Sequence, residues 1–175
     1  RISPDYYNIG SLTAAFWTAL SESLLYADDG INIIYANTIE ECNSKLQSVA
    51  LELSRWYDLV GLSLNVKKSE VMGFGFTPKI ISINNESIKP TKSIKFLGLH
   101  IQSDLKWNTH VEYLCNKLRA SAGRIRFEGR NFSIKDRKML YFAWTQGCLL
   151  SNGLAFLPRL NAGDEAKLQV ACNSA

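Results

Sequence analysis

The stretch Thr38–Val60 constrains the fold of this chain more than any other. Thr38 and Glu41 stand at capping-box spacing, where each side chain satisfies a backbone donor at a helix start. Ile39, Cys42, Leu46, Val49, Leu53, Trp56 and Val60 recur at three- and four-residue steps, which predicts one apolar stripe over about six helical turns. Gly61 follows as the left-handed stop. Short β-prone runs flank the helix on both sides, so packing against a sheet is expected rather than a coiled-coil seam. Upstream, Ser23–Ala27 and Ile31–Tyr35 bracket Asp28-Asp29-Gly30, and Asp-Gly between two such runs is a strong local hairpin signal.

Downstream, Leu62–Val66 and Glu70–Phe76 read as strands around the basic bend Lys67-Lys68. Ile80–Ile83 and Glu86–Ile88 flank Asn84-Asn85, whose side chains tolerate the positive φ of a tight turn. Ser93–Ile101 reads as a strand interrupted at Gly98. Thr109 with Glu112 predicts a second capping box, with Val111, Leu114, Cys115, Leu118, Ala122 and Ile125 on one helix face. Ser133 with Asp136 opens a third helix running to about Gln146. Leu12–Leu20 reads as a short helix, and Asp164–Val170 as another. The predicted fold class is α+β, with residues 1–101 forming a sheet with a packed helix and residues 102–175 mainly helical.

Composition narrows the function classes. With 46% hydrophobic and 21% charged residues, the chain lies in the globular range. Leu12–Leu20 and Gly147–Pro158 are apolar but too short to span a bilayer, so no membrane partner is expected. The chain opens at Arg1, which suggests an excised or incomplete product without readable targeting signals. Cys42, Cys115, Cys148 and Cys172 are too scattered for a zinc site or a disulfide framework, and read as small buried apolar residues in a reducing compartment. His100 and His110 lack ligand-spaced partners and read as satisfied structural histidines. The net charge of +4 divides unevenly: residues 1–66 carry −5 and residues 67–175 carry +9. An acidic start joined to a basic remainder suits a cation site beside a polyanion-binding surface.

Asp28 and Asp29 are the residues most able to carry chemistry. Neighbouring carboxylates on a regular strand point to opposite faces, but at a hairpin tip both can approach one point. Two such groups resist ionising together unless a cation lies between them, and Mg2+ is the hard cation suited to carboxylate oxygens. The alternative is a plain polar turn.

Four segments in order resemble one family. Tyr26-Ala27-Asp28-Asp29 looks like the Tyr-x-Asp-Asp box of reverse transcriptases. Gly61-Leu62-Ser63-Leu64-Asn65-Val66-Lys67-Lys68-Ser69 is similar to the family's Gly-Leu-x-x-Asn-x-x-Lys-Ser/Thr segment. Lys95-Phe96-Leu97-Gly98 resembles the Leu-Gly turn of its primer grip. Leu105-Lys106-Trp107-Asn108-Thr109-His110 resembles the Leu-x-Trp-x-x-His signature opening the thumb of non-LTR, jockey-like retrotransposons. The resemblance covers about Leu24 to Leu140.

That resemblance implies the end of a polymerase palm followed by a thumb, and an RNA-directed DNA polymerase in the intact parent. In that chemistry a primer 3′-hydroxyl attacks a nucleotide α-phosphate in line. Asp28 would be a direct ligand of Mg2+ or Mn2+, with Asp29 its neighbour at the primer end. Lys68 would stand near the leaving pyrophosphate, with Lys67 the fallback and a solvated bend the alternative. Tyr26, Phe96, Leu97 and Gly98 would lie against the template–primer duplex; Gly98 reads equally as a β-bulge. Asn65 is expected to fix its turn. Lys117, Arg119, Arg124 and Arg126, with Arg130, Lys135, Arg137 and Lys138, would position phosphates or simply form a solvated face. Trp107, Phe127 and Phe132 read as core first and base-stacking groups second.

Implied partners are an RNA template, a DNA primer and deoxynucleoside triphosphates, in the nucleus or cytoplasm. The family's other metal aspartate lies upstream of the hairpin, and Asp5 lacks its flanking pattern. Gly10–Ser21 does not match the Gln-Gly nucleotide pocket. This chain alone is therefore expected to be inactive, and a remnant or nucleic-acid-binding module using the basic helices is the alternative.

Overall fold

The structure is a computed structural model that describes residues 21–26, 29–150 and 152–173. The helix expected at Leu12–Leu20, together with Asp5, Ala27 and Asp28, lies outside the described residues. The chain divides into two compact units, Arg1–Leu97 and Gly98–Ala175. Both helix and antiparallel strand are present, as the α+β class requires.

In the first unit, β1 (Glu22–Tyr26) and β2 (Asp29–Ile33) pair antiparallel. The helix α1 (Ile39–Leu59) follows. Thr38 caps it by accepting the Glu41 amide at 3.1 Å, while the Glu41 carboxylate accepts the Asn37 amide at 3.1 Å. Lys45 bonds that carboxylate at 2.8 Å, and this contact first, then the Asn37 amide, holds the Glu41 carboxyl below its usual range. The helix ends as expected: Gly61 has φ +73°, and its amide and that of Leu62 bond back to Asp58 and Tyr57 carbonyls, closing orphan acceptors.

The buried face of α1 follows the predicted stripe only in part: Leu46 packs on the core of this unit, and Cys42, Leu53 and Trp56 are half-buried. Val49 is buried, but Ile39 is 52% exposed and Val60 is also exposed. Ala50 and Ser54 are buried instead, and Ala50 packs on Val71, Ile81, Ile83 and Ile88. The reason is the hairpin of β3 (Ile81–Ile83) and β4 (Glu86–Ile88), turned by Asn84 and Asn85 at φ 45° and 64°. An edge strand directs alternate amides and carbonyls away from its partner, and those of Ser82 are met by Gln47, whose Nε2 donates to the carbonyl at 2.7 Å and whose Oε1 accepts the amide at 3.0 Å. Asn43 accepts the Lys79 amide at 2.8 Å, and Asn84 donates to the Ser54 hydroxyl at 3.2 Å. Asn43, Gln47, Ala50 and Ser54 follow each other at four- and three-residue steps, so a polar and small-residue stripe faces the hairpin.

The strands expected at Leu62–Val66 and Glu70–Phe76 do not form. Asn65 accepts the Lys68 amide at 3.2 Å and starts a 3-10 turn, Val66–Lys68. Beyond it only Val71 makes a bridge, to Pro90. Glycines at 73 and 75, the latter at φ +77°, and the buried Pro78 break any longer ladder. β5 (Ser93–Phe96) closes the first unit.

The second unit opens with β6 (Leu99–Gln102). Its central helix α2 (Asn108–Glu128) buries Val111, Leu114, Cys115, Leu118, Ala122 and Ile125 as predicted, with His110 added. The second capping box is absent: Trp107 occupies the N-cap without a side-chain bond, and Gln102 accepts the Thr109 amide at 3.0 Å from outside the helix. Ser133 opens α3 (Ile134–Tyr141), accepting the Asp136 amide at 3.2 Å. The wide π-helical turn Phe142–Gln146 continues into α4 (Gly147–Leu150). After α5 (Gly153–Phe156) comes α6 (Ala162–Asn173), longer than expected because Asn161 and Asp164 cap each other at 2.8 and 2.9 Å. Phe156, Leu168 and Ala171 pack on the buried face of α2.

Aromatic rings enclose His110: Phe156 edge-on at 4.7 Å, Trp107 at 6.0 Å and His100 at 6.2 Å. Its Nδ1 accepts the His100 amide at 3.4 Å, whereas its buried Nε2 has no hydrogen-bond partner among the described residues, so this histidine is only half satisfied there. Burial, and secondarily His100, lowers its pKa to about 4. Phe127 and Phe132 are exposed rather than core, Phe127 by 73%. Among the described residues Cys42, Cys115, Cys148 and Cys172 form no disulfide, with Cys115 buried and the others half-buried. Among the described residues, no helix is long and apolar enough to cross a membrane.

Two outcomes are expected in urea titrations. Gln47→Ala, which strands the Ser82 backbone groups, lowers stability by about 1–2 kcal/mol, whereas Ile39→Ala changes it by less than about 0.5 kcal/mol. Because unfolded His110 takes up its proton first as pH falls, the second unit loses stability between about pH 6.5 and pH 4, by roughly 3 kcal/mol when complete. Trp107 fluorescence reports it, and His110→Leu removes this share of the pH dependence.

Candidate functional site

The acidic hairpin comes first in the chain. Its register pairs Leu24 with Ile31, Leu25 with Gly30 and Tyr26 with Asp29. Asp29 and Gly30 thus lie in β2 instead of the turn that the Asp-Gly pattern suggested. The register decides this: a hydroxyl–amide bond of 2.7 Å from Ser23 to Asn32 ties the opposite ends of the strands. Directly opposed residues share a face of the ladder. Tyr26 and Asp29 are therefore side-by-side neighbours, and both are exposed, Tyr26 by 65%. No ion pair among the described residues engages Asp29. Its carboxylate is the hard oxygen donor that Mg2+ takes, but one carboxylate is not a magnesium site. Among the described residues no three His, Cys, Asp or Glu side chains gather for a metal, and Asp28 lies outside them.

Lys68 ends the 3-10 turn that Asn65 caps, and both Lys67 and Lys68 are exposed. Leu64 and Val66 pack against the core of the first unit, so alternate residues anchor the segment while the lysines face outward. Ser69 donates its hydroxyl to the Asn65 carbonyl at 2.9 Å. The Gly61–Ser69 pattern is thus explained locally: a helix stop, two apolar anchors and a side-chain-capped turn. No hydrogen bond or ion pair among the described residues joins Lys68 to Asp29.

The strand expected at Ser93–Ile101 breaks at Leu97 and Gly98, with φ 46° and 85°. Gly98 is therefore a turn glycine and not a bulge within a continuous strand. A Cβ there would make ordinary van der Waals contact with Asn152 Nδ2 at 3.5 Å, so the positive φ and not crowding favours glycine. Phe96 is half-buried and Leu97 exposed. In the segment after β6, Leu105 is exposed at φ 57°, and Trp107 and His110 pack together in the core of the second unit.

The cations of α2 do not form one surface. Lys117 and Arg124 are seven residues apart, as are Arg119 and Arg126, so each pair shares a stripe. At 3.6 residues per turn the two stripes lie roughly 160° apart around the axis. All four side chains are exposed. Lys117 lies 6.0 Å from the Tyr113 ring centroid, and Arg119 donates to Asn116 at 3.2 Å.

Only Arg126 of these four reaches a cleft at the end of α2. That cleft, of about 800 Å³, is lined by Arg126, Arg130, Arg137 and Lys138 together with Ile125, Gly129, Ile134, Tyr141 and Phe142. The last turn of α2 forms one wall and α3 the other. Gly129 lets the Arg137 stem lie close, since a Cβ there would come within 3.3 Å of Arg137 Cγ. Arg137 Nε in turn donates to the Phe132 carbonyl at 3.2 Å. In the sequence Tyr141-Phe142-Ala143-Trp144 reads only as a loose echo of a Tyr-Gly and Trp thumb pattern, with no ligand role attached to Tyr141 or Phe142. The available signal was the spacing of aromatic residues three and four positions beyond Lys138, on the helix face that also carries Ile134.

A straight duplex meets one stripe of α2 and not both. On an RNA–DNA duplex, only one of the double variants Lys117→Gln/Arg124→Gln and Arg119→Gln/Arg126→Gln is therefore expected to flatten the slope of log-affinity against log salt. The change should be nearly 2, at about 0.9 per phosphate contact. Equal flattening by both would show that the duplex wraps the helix.

Compared with known proteins, the chain matches no protein-family model, no curated protein and no solved structure.

Proposed function

We propose that this chain is the palm end and thumb of a non-LTR retroelement reverse transcriptase, an RNA-directed DNA polymerase when whole. The observation that carries the reading is the ordered run of four segments, Tyr26–Asp29, Gly61–Ser69, Lys95–Gly98 and Leu105–His110. The antiparallel hairpin that seats Tyr26 beside an exposed Asp29 adds to it. So does the outward display of Lys68 on a capped turn.

In this reading Asp28 and Asp29 hold Mg2+ or Mn2+ together with an aspartate supplied from an upstream palm strand. The metal, when bound, supplies Lewis acidity toward phosphate oxygens. Lys68 places a positive charge or a proton where pyrophosphate leaves. Tyr26, Phe96, Leu97 and Gly98 border the template–primer duplex, and one cationic stripe of α2 tracks its backbone. The substrates are a DNA primer on an RNA template and deoxynucleoside triphosphates.

A second reading, a nucleic-acid-binding module without catalysis, is favoured by the second unit. Eight Lys and Arg side chains between residues 117 and 138 are all exposed there.

Primer extension separates the two. The chain rejoined to an upstream palm and fingers should extend a primer on RNA, and Asp28→Asn in the same protein should lower the rate at least about 100-fold. Lys68→Ala should lower it by about 100-fold, the scale of a lost general acid, with Lys67→Ala near wild type. If the rejoined wild type extends no faster than Asp28→Asn, the polymerase reading is wrong and binding alone remains.

A further inference from the structure

The cleft between the end of α2 and α3 combines two features that a solvated helix face does not need. Four cations, Arg126, Arg130, Arg137 and Lys138, converge on it, and no acidic side chain is among its lining residues. The nearby Asp136 is occupied by the α3 cap, where its carboxylate accepts the Ser133 hydroxyl at 2.7 Å. Beside the cations stand two rings, Tyr141 and Phe142, edge to face with centroids 5.7 Å apart. Phe142 is 57% exposed, so its apolar face is left in water instead of contributing to the core.

The backbone at this point is unusual as well. α3 passes into a π-helical turn at Phe142–Gln146, a conformation that is rare and gathers at functional sites. Arg137 is held in place at its stem by Gly129 and at its Nε by the Phe132 carbonyl, while its terminal nitrogens extend beyond that bond.

Phosphates answer the cations, and only an unpaired base answers the rings. A duplex shows its backbone outward and hides the faces of its bases in the stack, so it leaves Tyr141 and Phe142 unused. A single strand offers both groups at once: the backbone for the charges and base faces for the rings, in a sequence-tolerant way. The volume, about 800 Å³, lies in the range of sites for nucleotide-sized groups, about 300–1,000 Å³. A peptide of acidic residues alone would satisfy the charges but has no flat group for the rings.

We propose that this cleft binds single-stranded nucleic acid, with the phosphates against Arg126, Arg130, Arg137 and Lys138 and a base stacked on Phe142 or Tyr141. The proposal builds on the binding reading of the second unit and is independent of the polymerase reading.

Fluorescence anisotropy of the full chain tests it, with labelled oligouridylate, labelled oligothymidylate, a labelled RNA–DNA duplex and polyglutamate as competitor. Phe142→Ala should weaken single-strand binding about tenfold and leave duplex binding unchanged. Phe142→Trp should bind as the wild type does, which separates lost stacking from lost folding. Arg130→Gln and Lys138→Gln should each flatten the single-strand salt slope by about 0.7. Tighter binding of the uridylate would name RNA as the occupant, and tighter binding of the thymidylate would name DNA. The proposal is overturned if Phe142→Ala leaves single-strand affinity intact, if it weakens the duplex equally, or if polyglutamate displaces the strand as well as unlabelled oligonucleotide does. Failed primer extension with this binding retained would remove only the polymerase reading.

Discussion

The two hydrogen bonds from the Gln47 amide to the Ser82 backbone organise the first unit. A two-stranded hairpin of three residues per strand is marginal alone, because half of its backbone groups face away from the partner strand. Gln47 substitutes for a third strand at the position where it matters. Asn43 and Ser54 secure the hairpin at its two ends, and Ala50 between them is small enough to let Ile81, Ile83 and Ile88 approach the helix. Leu64 and Val66 then close on the same core, and that closure turns Lys67 and Lys68 outward. The display of the lysines thus follows from the clamp on β3.

In the second unit the organising constraint is burial. α2 commits Val111, Leu114, Leu118 and Ile125 to a core shared with Phe156 and Leu168, which leaves the rest of its circumference to charge. Cations on both sides of a buried stripe cannot reach one ligand unless the chain bends. The bend comes after Glu128, where α3 returns alongside and brings Arg137 and Lys138 to face Arg126 and Arg130. His110 is the cost of that core, a polar ring among aromatic neighbours with one nitrogen unpaired. Such a group is stable only while neutral.

Helix limits and tight turns were legible from local chemistry. Thr38, Gly61, Asn84-Asn85 and Ser133 each act through atoms within a few residues, and each does what its residue type predicts. Errors arose where a distant group took over. Gln102, from outside the helix, displaced the expected Thr109–Glu112 box, whereas Asn65 fixed its turn as expected, through the Lys68 amide three residues on. The apolar periodicity of α1 identified the helix and part of its buried side, Val49 and Leu46, but not Ala50 and Ser54, which the hairpin covers. The candidate site divides in the same way. Tyr26, Asp29 and Lys68 stand out by motif, whereas Tyr141 and Phe142 only loosely echo a thumb pattern and become conspicuous beside Arg126 and Arg130.

The sequence by itself determined the helix starts at Thr38 and Ser133, the stop at Gly61, the Asn84-Asn85 turn, the separation of acidic and basic charge, and the ordered segments that suggest a polymerase. Those properties rest on near-neighbour sterics and capping, or on the order of residues alone. Tertiary structure decided that Ala50 and Ser54 of α1 are buried, that Asp29 belongs to a strand, and that four of the basic side chains share a cleft with two rings. These depend on partners brought close by folding, and no spacing along the chain encodes them.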